Sequence, residues 1–403
     1  MAISRRDFGV SVGALVACGF GKADALGLPA IGTYPIALNV HTTAQRTVLP
    51  NQKPAAAIRV DDVSNYQKNG FGPWHYGPAL SYGRRLDLVG SSGAGKPARQ
   101  VARLLNFFAI TDIHITDKES PSSAIYLGLK NDIPSGYSPV MLDTTHVLDA
   151  AVQTINALHR RSRFDFGISL GDTCNNTQYN ELRWYVDVLD GKAITPNSGG
   201  HAGAGSIDHQ KPYKAAGLDK SIKWYQTLGN HDHFWMGTNP VSDYLRQVYV
   251  GEEILKLGDI FTDPVGINKR DYYMGWIAGH RHYNAVTAFK SPDPARPELG
   301  FWQVETSSLR DFPQQFRTFE ILRNNDDTIS ILATNVDPAV RQGSPAATSR
   351  GYAIAVEQIF SSNTLTGQPK PLRPSGSYNA ELVKPLSPAM RAAIRKHGTR
   401  IRT

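Results

Sequence analysis

The chain contains little cysteine, little charge and no long apolar run inside it. Its 403 residues include two cysteines, and 19% are charged while 41% are hydrophobic. No internal segment reaches the roughly 18 consecutive apolar residues of a membrane-spanning helix. If a leader that includes Cys18 is removed, Cys174 is the only remaining thiol and no intrachain disulfide can form. The length and hydrophobic content are enough to bury a large core as one elaborated domain or two.

The net charge of +8 favours anionic substrates through electrostatic steering. Much of the excess lies near the carboxyl terminus, at Arg391, Arg395, Lys396, Arg400 and Arg402. A solvated basic tail explains this clustering better than nucleic-acid contact does. The sequence therefore predicts no specific nucleic-acid partner.

Residues 1–25 have the pattern of a processed export signal. Ser4-Arg5-Arg6-Asp7-Phe8 precedes a mostly apolar, uncharged stretch at 9–21. A paired arginine in this context is typical of signals read by the twin-arginine export machinery, which carries folded proteins across a bacterial membrane. We therefore expect a periplasmic or extracellular protein. Leu15-Val16-Ala17-Cys18 leaves open an alternative, an envelope lipoprotein anchored through Cys18.

Four short polar patches each follow an apolar run of strand length. The runs lie at 104–110, 164–170, 224–228 and 274–278. The patches are Asp112-Ile113-His114, Gly171-Asp172, Gly229-Asn230-His231-Asp232 and Gly279-His280-Arg281-His282. Apolar runs of this length that end in polar residues or glycine are typical of buried strands. Ligands of open α/β sheets bind beyond the carboxyl ends of strands, so the patches are expected to meet at one site.

The residue types in these patches suit divalent cations. Carboxylate oxygens and neutral imidazoles bind Mn²⁺, Fe and Zn²⁺, and a pair of ions requires a ligand that bridges them. Asp172 is the natural bridge. We therefore expect two divalent metal ions, with Mn, Fe or Zn as equally suitable candidates.

The ordered set of motifs D-x-H, G-D, G-N-H-D and G-H-x-H, over residues 107–286, resembles the calcineurin-like metallophosphoesterase superfamily. The resemblance implies hydrolysis of a small phosphoester substrate, a phosphodiester or phosphomonoester, by a metal-activated water at a dinuclear site. The ligands that it implies are Asp112, His114 and His282 for the first ion, Asn230 and His280 for the second, and Asp172 for both. It also implies that His231 is catalytic, facing the phosphoryl oxygens and oriented by Asp232.

One family ligand is missing from this chain. The family supplies a further histidine for the second metal between the last two motifs, but no histidine occurs between Phe234 and Gly279. Either the chain is a shortened member or another residue substitutes, with His233 and Asp263 as poor candidates. The second site is therefore expected to be weak. The alternative function is a catalytically weakened metal- or phosphate-binding protein of the envelope.

The expected fold is α/β, a four-layer α/β/β/α sandwich with an irregular N-terminal extension. After the leader we expect a partly β extension at 26–103, the metallophosphoesterase domain at 104–360 and a C-terminal extension at 361–403 with a basic helix. Apolar spacing predicts helices at 139–161, 180–189 and 385–397. The chain after His282 is β-rich, with strands at 285–289 and 301–305 and a hairpin at 316–334, and we assign these to a second sheet.

Overall fold

A computed structural model describes residues 3–4, 36, 40–52, 54–56, 58–89, 98–120, 122–123, 137–198, 211–234, 242–250, 280–362 and 379–398. The expected leader lies outside the described residues except for Ile3–Ser4. Residues 251–279 also lie outside them. They include the strand expected at 274–278 and most of the interval in which the family histidine is missing.

The described chain is mixed α/β, with one large mixed sheet and five α-helices. The strands are β1 (Ile3–Ser4), β2 (Thr47–Pro50), β3 (Trp74–Gly77), β4 (Gly83–Arg85), β5 (Gln100–Ile110), β6 (Phe166–Ser169), β7 (Ala193–Ile194), β8 (Tyr213–Lys214), β9 (Lys223–Gln226), β10 (Ala285–Phe289), β11 (Phe301–Glu305), β12 (Phe316–Asn324), β13 (Thr328–Val336) and β14 (Ala380–Pro385). The helices are α1 (Thr144–Arg161), α2 (Tyr179–Asp190), α3 (Asp243–Val250), α4 (Pro345–Ser362) and α5 (Pro388–His397).

Eight strands form the large sheet in the order β1-β9-β6-β5-β12-β13-β14-β4. The neighbours β5, β6 and β9 are parallel, whereas β12, β13 and β14 continue the sheet from β5 in antiparallel pairs. Three parallel strands end at one edge of a sheet. The loops that follow β5, β6 and β9 therefore meet there, as the sequence predicts for three of the four polar patches.

Alternate residues of β5 pack on opposite faces of the sheet, as the period of two in a strand requires. Phe108 and Ile110 belong to the main core cluster, which also contains the apolar faces of α1 and α2. Phe107 and Ala109 face the other way, into a smaller cluster that includes Val304 of β11. Helices thus cover one face of the sheet, and the two-stranded sheet of β10 and β11 contacts the other.

The ends of α1 and α2 follow from local chemistry. Pro139–Met141 forms a separate 3-10 turn, so α1 begins at Thr144, five residues later than expected. At the start of α2, the Glu181 carboxylate accepts the N–H of Gln178 at 3.3 Å, which is one half of a capping box. Gly191 ends that helix in the left-handed region at φ +72°, which glycine adopts without steric cost.

Several elements differ from the sequence expectation. The hairpin of β12 and β13 pairs with β5 and so extends the large sheet, whereas the sequence pattern predicts a second sheet for it. The short strands β4 and β14, from the segments expected to flank the domain, also pair within the large sheet. Helices α3 and α4 were not foreseen. Among the described helices, none has both the length and the apolar character needed to cross a bilayer.

Candidate metal centre

Five of the six predicted ligands share an uncommon backbone conformation. Their φ angles are positive: Asp112 (+50°), His114 (+47°), Asp172 (+52°), His280 (+63°) and His282 (+57°). The left-handed region is disfavoured for such residues, and conformations of this kind cluster at functional sites. The loops beyond the strands therefore hold these side chains in strained positions.

Backbone hydrogen bonds join the first two loops directly. The N–H of Asp112 donates to the Gly171 carbonyl at 3.1 Å, and the N–H of His114 donates to the Asp172 carbonyl at 2.9 Å. The third loop packs against the second through two glycines. A Cβ on Gly171, which has φ +106°, would collide with the backbone of Gly229, and a Cβ on Gly229 would collide with the Asp172 carboxylate. Both glycines thus permit the close approach on which the site depends.

Asp112, His114 and His282 converge on one point. One ligand atom from each lies within 4.8 Å of the other two. The Nε2 atom of His282 lies 3.3 Å from Asp112 Oδ1 and 3.3 Å from His114 Nε2. Asp112 and His114 are buried, at 1% and 2% exposure. Within the described residues, this is the single group of three or more His, Cys, Asp or Glu side chains that could share a metal ion.

The charges around Asp112, His114 and His282 favour the binding of a cation. Burial, together with the neighbouring Asp112 carboxylate, raises the pKa of Asp172. Burial acts to lower the pKa of His282, but the Asp112 and Asp311 carboxylates raise it to about 10. Buried carboxylates of like charge need compensating positive charge, which the protonated His282 supplies in the metal-free group. A divalent cation would take over this role and relieve the repulsion between Asp112 and Asp172.

The donor types also fit a metal. Burial, with His231 and His282 nearby, holds the pKa of His114 well below its ordinary value. A neutral imidazole is the form that binds a metal ion. Two imidazoles with carboxylate oxygens suit Mn, Fe and Zn.

The predicted ligands of the second metal are placed beside the first group. His280 Nδ1 lies 3.0 Å from Asn230 Oδ1, and the His280 N–H donates to Asp112 Oδ1 at 2.7 Å. Asp172 Oδ1 accepts the backbone N–H of His231 at 2.7 Å, and Asp172 Oδ2 lies 4.0 Å from His114 Nε2. The carboxylate of Asp172 therefore lies between His114, a predicted ligand of the first metal, and the backbone of His231, the residue that follows Asn230.

The ring of His231 packs against one of the predicted metal ligands and is fixed by a hydrogen bond to the backbone. Its ring packs edge-on against that of His114, with centroids 4.6 Å apart. Its Nδ1 lies 2.7 Å from the Asn175 carbonyl, so Nδ1 carries the proton in this contact. Desolvation lowers the pKa of His231 to about 4, which makes the ring neutral near pH 7.

Asp232 is expected to orient His231, but its carboxylate accepts hydrogen bonds from backbone N–H groups. Asp232 Oδ1 accepts the N–H groups of Thr173 and Cys174 at 2.9 and 3.0 Å, and Oδ2 accepts the N–H of Gly229 at 2.9 Å. A carboxylate that binds backbone amides of two loops holds those loops together. The Asn175 carbonyl, not Asp232, therefore orients the imidazole.

Three residues near the site were missed by sequence reasoning: Asn175, Arg310 and Asp311. The buried Arg310 donates from Nη1 to Asn175 Oδ1 at 2.6 Å. Asp311 Oδ2 is hydrogen-bonded to His282 Nδ1. Both Arg310 and Asp311 lie between β11 and β12, in a run without periodicity or motif. The only sequence signal is the polar stretch 305–308, which the structure buries directly before them.

Cys174 lies two residues beyond Asp172 and is a free, buried thiol. Burial raises the pKa of Cys174 well above its ordinary value, so the thiol is neutral. This agrees with a small residue that fills space below the site.

Comparison of the chain with models of protein families and with curated proteins gives no match.

Proposed function

We propose that the protein is a metal-dependent hydrolase of phosphoester bonds of the calcineurin-like type, acting on a small phosphodiester or phosphomonoester. The observation that carries the proposal is the convergence of Asp112, His114 and His282 within 4.8 Å at the carboxyl edge of parallel strands. The same edge carries Asp172 and His231, which such a hydrolase uses.

In this proposal Asp112, His114 and His282 would hold the first cation, Asn230 and His280 would hold a second, and Asp172 would be a ligand of both. Bound divalent cations polarise phosphoryl oxygens and acidify water. The loops that carry the ligand side chains fix their positions. The backbone N–H groups of Asp112 and His114 join two of these loops by hydrogen bonds.

His231 supplies the group that meets the substrate. Its Nδ1–H is engaged by the Asn175 carbonyl, which leaves Nε2 for a phosphoryl or leaving-group oxygen. Arg310 holds the Asn175 side chain, so its buried guanidinium supports the same loop. A fixed imidazole needs little reorganisation when charge develops on an oxygen.

Architecture and export are part of the same proposal. The helices α1 and α2, the large sheet and the β10–β11 sheet are compatible with three layers of the α/β/β/α sandwich, and the fourth layer is proposed from the family resemblance. Export rests on the Arg5-Arg6 pair and the apolar stretch that follows it. The lipoprotein alternative rests on Cys18.

One feature favours a second candidate function. No histidine occurs between Phe234 and Gly279, so the second cation would have only Asp172, Asn230 and His280. A protein with one strong cation site and an incomplete second site could bind metal or phosphate on the cell envelope without efficient hydrolysis.

A metal analysis combined with a chromogenic phosphodiester assay separates the two functions. The test compares the wild-type protein with His114→Gln, and with His75→Gln as a matched control, because His75 is an exposed histidine outside the site. We expect metal-dependent hydrolysis in the wild type and in His75→Gln, and its loss together with the tight metal in His114→Gln. Metal binding without hydrolysis would support the envelope-binding alternative. If wild-type protein bound no divalent metal, the metal-dependent hydrolase and the metal-binding form of the alternative would both be excluded.

A further inference from the structure

The loop between β11 and β12 brings a carboxylate to the outer side of His282. Asp311 Oδ2 is hydrogen-bonded to His282 Nδ1, the ring nitrogen opposite the one that faces Asp112 and His114. The side chains of Asp311 and His282 are 15% and 19% exposed. The contact is therefore largely shielded from water, which strengthens a charge-assisted hydrogen bond.

The loop that carries Asp311 is fixed to the same backbone as Asp112. Ser308 Oγ donates to the Asp112 carbonyl at 2.8 Å and accepts the N–H of Asp311 at 3.2 Å. The N–H of Leu309 donates to the Thr111 carbonyl at 3.2 Å. The position of Asp311 relative to the cation group is thus set by direct contacts with the end of β5.

A carboxylate can only accept the hydrogen bond from a neutral imidazole. Asp311 therefore requires the proton of a neutral His282 to be on Nδ1, which leaves the lone pair of Nε2 directed at the point shared with Asp112 and His114. Carboxylate partners of metal-bound histidines fix the ring orientation and the protonated nitrogen in this way.

We infer that Asp311 is the positioning residue of His282, which it holds with Nε2 presented to the first cation. This inference rests on the proposed metal site. Residues 308–311 have no recognisable sequence motif, and by this inference they complete that site.

The test uses the full chain and measures cation affinity by competition with a chromogenic chelator. Asp311→Asn keeps the shape and an acceptor oxygen but removes the charge, whereas Asp311→Leu removes both. Asp327→Asn is the matched control, because it removes one carboxylate from an exposed turn of the β12–β13 hairpin. Circular dichroism of each metal-free variant shows whether it folds.

We expect the affinity for Zn²⁺ or Mn²⁺ to fall about 10- to 100-fold in Asp311→Asn and further in Asp311→Leu, with no change in Asp327→Asn. A second readout is NMR of ¹⁵N-labelled histidine in Zn²⁺-loaded protein, where His282→Gln identifies the His282 signals. The wild-type spectrum should show a protonated Nδ1 protected from exchange with water, and Asp311→Leu should lose that protection.

The outcomes distinguish this inference from the proposed function. If the wild type binds metal and hydrolyses phosphodiester while folded Asp311→Asn and Asp311→Leu retain wild-type affinity and the same NMR signals, Asp311 is a structural ion-pair partner only. The inference then fails and the proposed function stands. If the wild type binds no divalent cation, both fail.

Discussion

Asp149 provides a test of the physical reasoning at a position remote in sequence from every metal ligand. It lies on α1 and is 4% exposed. Its Oδ1 accepts the Ala216 N–H at 2.7 Å, and its Oδ2 accepts from Gln153 Nε2 at 2.8 Å. Burial raises the pKa of Asp149 from 3.8 to about 6, against the opposing effect of these two hydrogen bonds.

The sign of the effect on stability follows from proton binding. The folded protein holds the Asp149 proton more tightly than the unfolded chain does, so this group stabilises the fold fully below its unfolded pKa. That contribution is lost as the pH rises from 3.8 through about 6. The difference between these pKa values corresponds to about 3 kcal/mol in the free energy of unfolding, at roughly 1.4 kcal/mol per pH unit.

Asp149→Asn should remove this dependence. The asparagine oxygen can accept the Ala216 N–H, and its amide can donate to Gln153 after that side chain flips, so both hydrogen bonds persist. Relative to the wild type, the variant should gain up to about 3 kcal/mol between about pH 4 and about pH 8. Urea unfolding of both proteins across this range measures the gain.

The comparison has an internal control. Since all metal ligands are retained, the pH dependence of the site is common to both proteins and cancels in the difference. The exposed Asp327→Asn variant should show no such gain. A difference between wild type and Asp149→Asn that stayed constant within about 0.5 kcal/mol over the whole range would refute the reasoning.

Further predictions concern export, loop packing and metal content. Replacing Arg5 and Arg6 together by lysine should leave unprocessed precursor in the cytoplasm in a cell-fractionation assay, and normal periplasmic arrival would contradict the export proposal. Cys18→Ala should release the protein from membranes only if the chain is lipidated, so unchanged fractionation would exclude the lipoprotein alternative. Gly229→Ala should lower metal content and hydrolysis strongly, because its Cβ would collide with the Asp172 carboxylate; unchanged metal content would show that the loops can separate. Dialysed protein should hold close to one tightly bound metal per chain, with activity that rises on addition of Mn²⁺, whereas two tightly held ions with high activity would reveal a substitute for the missing histidine.

The sequence located three of the four strands expected to position the site, β5, β6 and β9, because their apolar runs have a clear length and end. The fourth lies outside the described residues. The strands predicted at 285–289 and 301–305 coincide with β10 and β11, and α2 differs from its prediction by one residue at each end. The left-handed backbone at Asp112, His114 and Asp172 could not be inferred, since local propensity opposes it.

Other elements depend on tertiary contacts that leave no local pattern. The strand β4 has only three residues, Gly83–Arg85, and exists through its parallel pairing with β14. The partnership between Asp311 and His282 joins residues 29 apart in sequence through a loop without periodicity. The sequence adjacency of Asp232 to His231 does not reveal that the Asp232 carboxylate binds amides of the preceding loop.

The central claim is that Asp172 joins two cations in a hydrolytic site, and Asp172→Asn tests it most directly. The amide keeps the shape of the side chain but removes the charge shared between the cations, which is essential to such a site. Turnover of a chromogenic phosphodiester, with metal content measured on the same samples and Asp327→Asn as the control, is the measurement. We predict that hydrolysis falls by several orders of magnitude while circular dichroism shows an intact fold. Near wild-type turnover with full metal content in Asp172→Asn would contradict the two-metal account.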